Sequence, residues 1–138
     1  MVLDLSSLEQ AVISLGNALE AVKGGGAYDV KTQDTLRAGV IQNFEFTYEL
    51  CWKFMQRWLK EQQMQQDAEL PRTRKDLFRM AAKSGLIRDP LRWFEYSDAR
   101  NLTVHTYSQD KAKIVFDAAV TFITEAKYLL AQLKRHND

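Results

Sequence analysis

One long, uninterrupted apolar helix constrains this chain more than any other feature of its sequence. Neither a proline nor a capping signal breaks the stretch from Lys31 to Gln63, so the pattern predicts a single helix. At about 100° per residue, the apolar side chains between Phe44 and Leu59 sweep an arc of about 240°, whereas a surface helix needs only about 100°. Such a helix must be covered on most sides, either by its own bundle or by a second copy of the chain.

Helical periodicity also marks the rest of the chain. An apolar stripe begins at Leu5, with Ser6 or Ser7 as its candidate cap, and ends at the triple glycine Gly24–Gly26. Further helices are predicted after the loop at Pro71: a short basic one capped by Thr73 and ending at Gly85, one from Asp89 and Pro90 to about Asn101, and a final one from about Ser108. The sequence therefore predicts one all-α domain over residues 1–138, an antiparallel up-and-down four-helix bundle with an extra short helix.

The composition excludes several classes of protein. The chain has 138 residues, 46% of them hydrophobic, and a domain of this length can bury enough surface to fold without disulfides. One cysteine and two distant histidines allow no internal disulfide and no familiar metal-ligand spacing. No leader-like segment and no apolar run of membrane-spanning length is visible. We therefore expect a cytoplasmic protein with no metal, no cofactor and no membrane partner.

Positive charge is concentrated in one segment, although the net charge of the chain is only +1. Between Pro71 and Arg92, seven basic residues and two acidic ones give a local balance of +5. This pattern is typical of a solvated helix face, and equally of a site for phosphate or for an acidic partner. The basic residues are Arg72, Arg74, Lys75, Arg79, Lys83, Arg88 and Arg92.

The most unusual group of polar residues lies at a predicted helix break. Residues 99–107 read Ala-Arg-Asn-Leu-Thr-Val-His-Thr-Tyr. On a continuous helix Arg100 and His105 would point about 140° apart. Thr103 and Val104 disfavour helix slightly, so a turn here can bring the two side chains together. The alternative is that a histidine at a helix end is merely structural.

These residues carry a family resemblance. Arg-Asn-x-x-x-His followed by x-Tyr resembles the motif of the HEPN superfamily, small helical bundles that act with nucleic acids or nucleotides. Residues Phe44–Lys53, Phe-Glu-Phe-Thr-Tyr-Glu-Leu-Cys-Trp-Lys, resemble the signature of one branch, the nucleotidyltransferase substrate-binding protein family. The resemblance covers nearly the whole chain, including the stretch Ala81–Ile87 that precedes the helix carrying the motif.

The resemblance implies a partner. Proteins of this branch are encoded beside a minimal nucleotidyltransferase and pair with it, and their bundle is similar to the helical domain that completes the substrate site of aminoglycoside nucleotidyltransferases. Related HEPN proteins are toxin ribonucleases, which a nucleotidyltransferase silences by adenylylating the motif tyrosine. This chain lacks the Gly-Ser and Asp-x-Asp pattern that binds metal in a nucleotidyltransferase, so it is not a transferase by itself.

The motif is chemically suited to cutting RNA without a metal ion. His105 can take the proton from a ribose 2'-hydroxyl or return one to the leaving oxygen, and Arg100 can present a bidentate fork to the phosphoryl oxygens. One arginine and one histidine per chain are few groups for acid–base catalysis. We therefore expect a homodimer, or a larger even oligomer, that brings two motifs into one cleft. Asn101 either positions His105 or a phosphate, or caps the helix. Tyr107 either accepts an adenylyl group or covers the end of the bundle.

The polar strip of the long helix carries two glutamates one turn apart. Glu45 and Glu49 could act as paired carboxylates, but Lys53 follows Glu49 at a spacing that favours an ion pair. We therefore favour a solvated or ion-paired strip, although Glu49 could orient Arg100 if the strip lines a dimer cleft. Cys51 lies among aromatic residues with no basic neighbour on its face, which indicates a core residue.

Two hypotheses for the function follow. We favour a substrate- or nucleotide-binding subunit that pairs with a separately encoded minimal nucleotidyltransferase in a two-gene module of the toxin–antitoxin kind. Its basic segment would then hold a nucleotide, a phosphorylated substrate or an acidic partner surface. The alternative is a metal-independent ribonuclease toxin that cuts RNA with Arg100 and His105 and is silenced by adenylylation of Tyr107.

Overall fold

A computed structural model describes residues 2–66 and 70–137 of the chain. Within these residues the chain forms five α-helices, separated by short loops and two turns of 3-10 helix. They are α1 (Ser6–Lys23), α2 (Val30–Gln66), α3 (Arg74–Lys83), α4 (Pro90–Leu102) and α5 (Gln109–Arg135), with the 3-10 turns at Gly24–Ala27 and Thr103–His105. Part of the loop predicted before Pro71, residues 67–69, lies outside the described residues.

Four of these helices form the bundle that the sequence predicts. Helices α1, α2, α4 and α5 pack around one core, and α3 is the extra short helix, packed against α2 and α4. The predicted all-α architecture is thereby confirmed. No helix in the described ranges combines the length and the apolar character that crossing a membrane requires.

The ends of α3 and α4 follow their local chemistry as predicted. The Thr73 hydroxyl accepts a hydrogen bond from the Asp76 N–H at 3.0 Å, and the Asp89 carboxylate accepts one from the Leu91 N–H at 2.9 Å. These bonds satisfy amide groups that the first helical turn leaves without a partner. Gly85 follows α3 with a φ of 86°, a left-handed conformation that glycine adopts without strain.

The start of α1 corrects the predicted cap. Ser6 and Ser7 both lie inside the helix. The carboxylate of Asp4 accepts hydrogen bonds from Ser6 N at 3.0 Å and from Ser6 Oγ at 2.6 Å, which lower the pKa of Asp4. A negative charge is favourable here because it lies near the positive end of the helix dipole.

The bundle itself covers most of the apolar arc of α2. Six apolar side chains between Phe44 and Leu59 are buried in the core: Phe44, Tyr48, Cys51, Phe54, Met55 and Leu59. Cys51 is a core residue, as predicted, and burial raises the pKa of its thiol above the ordinary value, which disfavours the reactive thiolate. Phe46 remains 61% exposed, so one edge of the arc stays open in the single chain.

An aromatic cluster fixes α4 against the rest of the bundle. The ring of Phe122 on α5 packs edge-on against those of Phe44, Trp93 and Tyr96, with centroid distances of 5.1, 5.5 and 5.0 Å. Because these rings come from α2, α4 and α5, they hold the three helices in one fixed arrangement. The last turn of α4 is therefore held beside the middle of α2.

One ion pair joins the loop after α3 to the middle of α5. The side chain of Glu125 is only 6% exposed, and that of Arg88 is 52% exposed. Arg88 Nη2 donates a hydrogen bond to Glu125 Oε2, which raises the pKa of Arg88, and the guanidinium lies 5.1 Å from the ring centroid of Tyr128. Arg88, one of the predicted phosphate-binding or partner-binding residues, is therefore used by the fold.

Replacing Arg88 by alanine should destabilise the protein because it leaves the Glu125 charge buried without a partner. We expect a loss of unfolding free energy at neutral pH that is larger than for an exposed ion pair but smaller than for a fully buried one, since Arg88 is half exposed. Urea denaturation measures this loss. Arg79→Ala, which breaks the exposed pair with Asp76, should change stability by less than about 0.5 kcal/mol. Equal losses in the two variants would contradict the prediction.

Candidate functional site

The motif around residue 100 lies where α4 ends and α5 begins. Helix α4 ends here because the Thr103 hydroxyl donates to the Arg100 carbonyl at 2.7 Å, a bond that competes with helical pairing. A 3-10 turn follows, and the Ser108 N–H donates to the His105 carbonyl at 3.1 Å just before α5 starts. Arg100 thus lies in the last turn of α4, and His105 lies at the end of the 3-10 turn.

Arg100 is bound at all three of its nitrogens. Nε donates to Glu49 Oε1 at 3.0 Å, Nη2 lies 3.3 Å from Glu45 Oε1, and Nη1 donates to Thr103 Oγ1 at 3.0 Å. A guanidinium group has five N–H groups, so these partners leave two for a further acceptor. The result is a fixed cation, 26% exposed, with donors still available for a phosphoryl oxygen.

Glu49 connects Arg100 to an aromatic side chain on α2. Its second oxygen, Oε2, accepts a hydrogen bond from Trp52 Nε1 at 2.9 Å. Trp52 therefore holds the Glu49 carboxylate in the orientation in which it binds Arg100. The strip is ion-paired, but within the described residues its cation is Arg100 and no ion pair joins Glu49 to Lys53. Arg100 reaches both glutamates from α4, and Lys53 Nζ instead lies 5.7 Å from the Trp52 ring centroid.

His105 and Tyr107 are both exposed to solvent. Their ring centroids are 6.1 Å apart with the planes nearly perpendicular, and Tyr107 is 83% exposed. The alternative in which Tyr107 covers the end of the bundle is therefore wrong for the single chain. Within the described residues no hydrogen bond joins His105 to Arg100. Asn101 is exposed and α4 continues past it, so the alternative in which Asn101 caps the helix is also wrong.

The basic segment does not form one uniform solvated face. The guanidinium of Arg74 lies 3.8 Å from the Trp52 ring centroid, and its Nη1 donates to the Tyr48 hydroxyl at 2.9 Å. Arg79 pairs with Asp76 at 3.3 Å. The remaining basic residues of the segment are all exposed: Arg72, Lys75, Lys83 and Arg92.

Sequence reasoning missed Trp52, Thr103 and Tyr48 as parts of this site. A local signal existed for two of them, because Trp52 follows Glu49 by three residues and Thr103 follows Arg100 by three. No local signal links Tyr48 to Arg74, which is 26 residues away. The described ranges contain no group of three or more histidine, cysteine, aspartate or glutamate side chains placed to hold a metal ion.

The fold and the site together define a class of protein. It is a small helical bundle in which a helix break carries an arginine, held by two glutamates, and, five and seven residues later, an exposed histidine and an exposed tyrosine. Comparison with known families identifies the class further: residues 3–135 match the family described as nucleotidyltransferase substrate binding protein like. The chain belongs to this family.

Individual relatives agree with this assignment. The chain is 39% identical over 139 aligned positions to a protein of Haemophilus influenzae named probable ribonuclease HepT, covering 99% of this chain and 95% of the relative. A solved structure from Haemophilus influenzae, described as the fold of a substrate binding domain of a nucleotidyltransferase, superposes with a TM-score of 0.88 at 38% identity, covering 95% of this chain and 99% of the other. A structure from Thermus thermophilus gives a TM-score of 0.74 at 28% identity, covering 93% of this chain and 99% of the other.

Proposed function

We propose that this protein is a metal-independent endoribonuclease whose working residues are Arg100 and His105. The observation that carries the proposal is the helix break itself, where a fixed guanidinium with two unused N–H groups precedes an exposed imidazole by five residues. Similarity to a protein named probable ribonuclease supports the same activity. The hypothesis favoured on sequence alone is a binding subunit of a nucleotidyltransferase. In the present proposal the nucleotidyltransferase remains the partner, as a regulator of the ribonuclease.

The chemistry assigned to these residues is an internal transfer within RNA. His105 accepts the proton of a ribose 2'-hydroxyl, and the 2'-oxygen bonds to the adjacent phosphorus. The bond from phosphorus to the 5'-oxygen breaks, and that oxygen takes a proton from a general acid or from water. Arg100 stabilises the negative charge that builds on the phosphoryl oxygens. Glu45, Glu49 and Thr103 are positioning residues, because they fix the guanidinium rather than contact the RNA.

Cleavage in the presence of EDTA tests this proposal. The purified protein should cut a single-stranded RNA as fast with EDTA as without it, because no step uses a metal ion. The same oligonucleotide with 2'-deoxyribose at the cleaved position should remain intact, because it lacks the attacking hydroxyl. Absence of cleavage of any RNA, or loss of cleavage on chelation, would overturn the proposal.

A second copy of the chain would supply the missing general acid. Two apolar side chains next to site residues are exposed in the single chain: Phe46, 61% exposed beside Glu45, and Val104, 69% exposed beside His105. An interface over these residues would bury apolar surface and bring two motifs face to face. We therefore propose a homodimer formed through the surface that carries Phe46 and Val104.

Phe46→Asp should convert the dimer into a monomer. The introduced carboxylate would be desolvated in the interface without a cation to pair with. Sedimentation equilibrium at micromolar concentration should give twice the chain mass of 16.0 kDa for the wild type and the chain mass for the variant. Ile13→Asp is the matched control, because Ile13 is also exposed, at 49%, but lies on α1. A wild type that sediments as a 16.0 kDa species would contradict the dimer.

We further propose that a minimal nucleotidyltransferase is the partner and that it regulates the protein through Tyr107. The phenol is exposed and its ring lies 6.1 Å from that of His105, so an adenylyl group there would compete with RNA phosphate. In the transfer, the phenolic oxygen attacks the α-phosphorus of ATP, pyrophosphate leaves and the phenolic proton is lost. Peptide mass spectrometry after co-expression should find AMP on Tyr107. A modified Tyr28, which is 54% exposed, with an unmodified Tyr107 would contradict this assignment.

A further inference from the structure

The charges around Arg100 show that this residue alone cannot attract RNA. Its guanidinium is paired with Glu45 and Glu49, so the three groups together carry a net charge of −1. A polyanion gains affinity from cations that replace its counterions, and this cluster offers no excess of them. If the protein acts on RNA as proposed above, another surface close to Arg100 must hold the strand.

A groove between α2 and the start of α3 has the required character. It has a volume of about 200 Å³ and is lined by Trp52, Gln56, Pro71, Arg72, Thr73, Arg74 and Leu77. Arg74 is fixed within it, with its guanidinium 3.8 Å from the Trp52 ring centroid and Nη1 donating to the Tyr48 hydroxyl at 2.9 Å. This stack of a planar cation on an indole is an ordered platform on which a nucleobase can stack.

The groove is connected to Arg100 through a single side chain. Trp52, which lines the groove, donates through Nε1 to Glu49, and Glu49 accepts from Arg100. Trp52 follows Glu49 by three residues, so the groove begins about one helical turn, roughly 5 Å, along α2 from the carboxylate that holds Arg100. A strand that enters the groove therefore passes close to the motif.

Two cations on α3 flank one aromatic ring of α4 beyond the groove. Lys75 Nζ and the Arg79 guanidinium lie 5.6 and 5.4 Å from the ring centroid of Phe94, on α4. Rings flanked by cations are typical of surfaces that bind single-stranded nucleic acid, because the cations contact phosphates and the rings contact bases. An acidic protein surface would use the same cations, but it does not need a flat stacking platform beside them.

We propose that this groove is a nucleotide-binding subsite for single-stranded RNA. One base stacks on the Arg74–Trp52 pair, the Gln56 amide is available to the edge of that base, and the exposed Arg72 contacts the adjoining phosphate. The subsite rests on the proposed ribonuclease function, since it holds the strand that the motif cuts. Binding, however, needs neither His105 nor cleavage.

Binding of an RNA that cannot be cut tests the subsite. The probe is a short, fluorescein-labelled single-stranded RNA with a 2'-O-methyl group on every ribose, titrated with the full-length protein at several salt concentrations. Arg72→Ala should lower the slope of log affinity against log salt by about 0.7, the contribution of one phosphate contact on a single strand. Lys127→Ala, which removes an exposed charge on α5, is the matched control and should leave the slope unchanged.

Arg74→Lys separates stacking from charge. It keeps the positive charge but removes the planar group, so affinity should fall about tenfold with little change in the salt slope. Circular dichroism of each variant verifies that the helices remain folded. Wild-type affinity in Arg74→Lys, equal effects of Arg72→Ala and Lys127→Ala, or no binding of the probe by wild type would each overturn the subsite. Binding with these effects but without cleavage of ordinary RNA would overturn the ribonuclease and support the subsite.

Discussion

His105→Ala should cut RNA about a hundred to ten thousand times more slowly than the wild type, the usual range for loss of a general acid or base. The side chain is exposed, and its described aromatic contact is with the exposed Tyr107, so its removal should leave the fold unchanged. Single-turnover cleavage of a labelled RNA measures the rate, and thermal unfolding measures the fold. The chain provides a matched control in His136→Ala, because its other histidine lies near Trp58 at the end of α5.

His136→Ala should cut RNA at the wild-type rate, because His136 lies near Trp58 and takes no part in the proposed reaction. Equal rates in His105→Ala and wild type, with both proteins folded, would remove His105 from the mechanism.

Arg100→Lys should slow cleavage by about a hundred to a thousandfold, although it preserves the charge, because catalysis loses a preorganised donor. A lysine ammonium has three N–H groups, too few to keep Glu45, Glu49 and Thr103 and still bind a phosphoryl oxygen. The KM for RNA should change much less than kcat, because the proposed subsite between α2 and the start of α3 holds the RNA strand. Wild-type kcat in a folded Arg100→Lys protein would contradict the role of the fixed guanidinium.

Glu49→Gln is the informative companion to Arg100→Lys. The amide oxygen can still accept a hydrogen bond from Arg100 Nε, but the ion pair is lost, so the guanidinium is less firmly held. We expect kcat to fall, but by less than in Arg100→Lys. Glu49→Asp should also be impaired, because the shorter side chain does not span the distance to Arg100. If Glu49→Asp kept most of the wild-type activity, Glu49 would not be positioning the Arg100 guanidinium.

The helices and their ends could be predicted because their causes are local. Periodic apolar residues, the caps Thr73 and Asp89, and Gly85 each act within a few residues of the chain. The start of α1 differs from the predicted one because Asp4 and Ser6 are both capping residue types within one turn, and the sequence does not decide between them. The width of the apolar arc of α2 predicts that the helix is covered on most sides, but not that the bundle covers most of the arc and leaves Phe46 exposed.

Partners in the site could not be predicted because they are distant in sequence. Arg100 lies 51 residues from Glu49, and Arg88 lies 37 residues from Glu125. Helical spacing suggests Lys53 as the ion-pair partner of Glu49. It contains no information about which helix packs against the polar strip of α2. Only the arrangement of α4 against α2, fixed by the aromatic cluster around Phe122, decides between the two cations.

The chemical identity of the RNA ends tests the proposed ribonuclease most directly. Wild-type protein is incubated with a short single-stranded RNA in EDTA, and the fragments are analysed by mass spectrometry. Attack by the ribose 2'-oxygen leaves a 2',3'-cyclic phosphate on one fragment and a 5'-hydroxyl on the other, and these are the ends that a mechanism through His105 and Arg100 predicts. Fragments that instead carry a 3'-hydroxyl and a 5'-phosphate would contradict it, because such ends require attack by water.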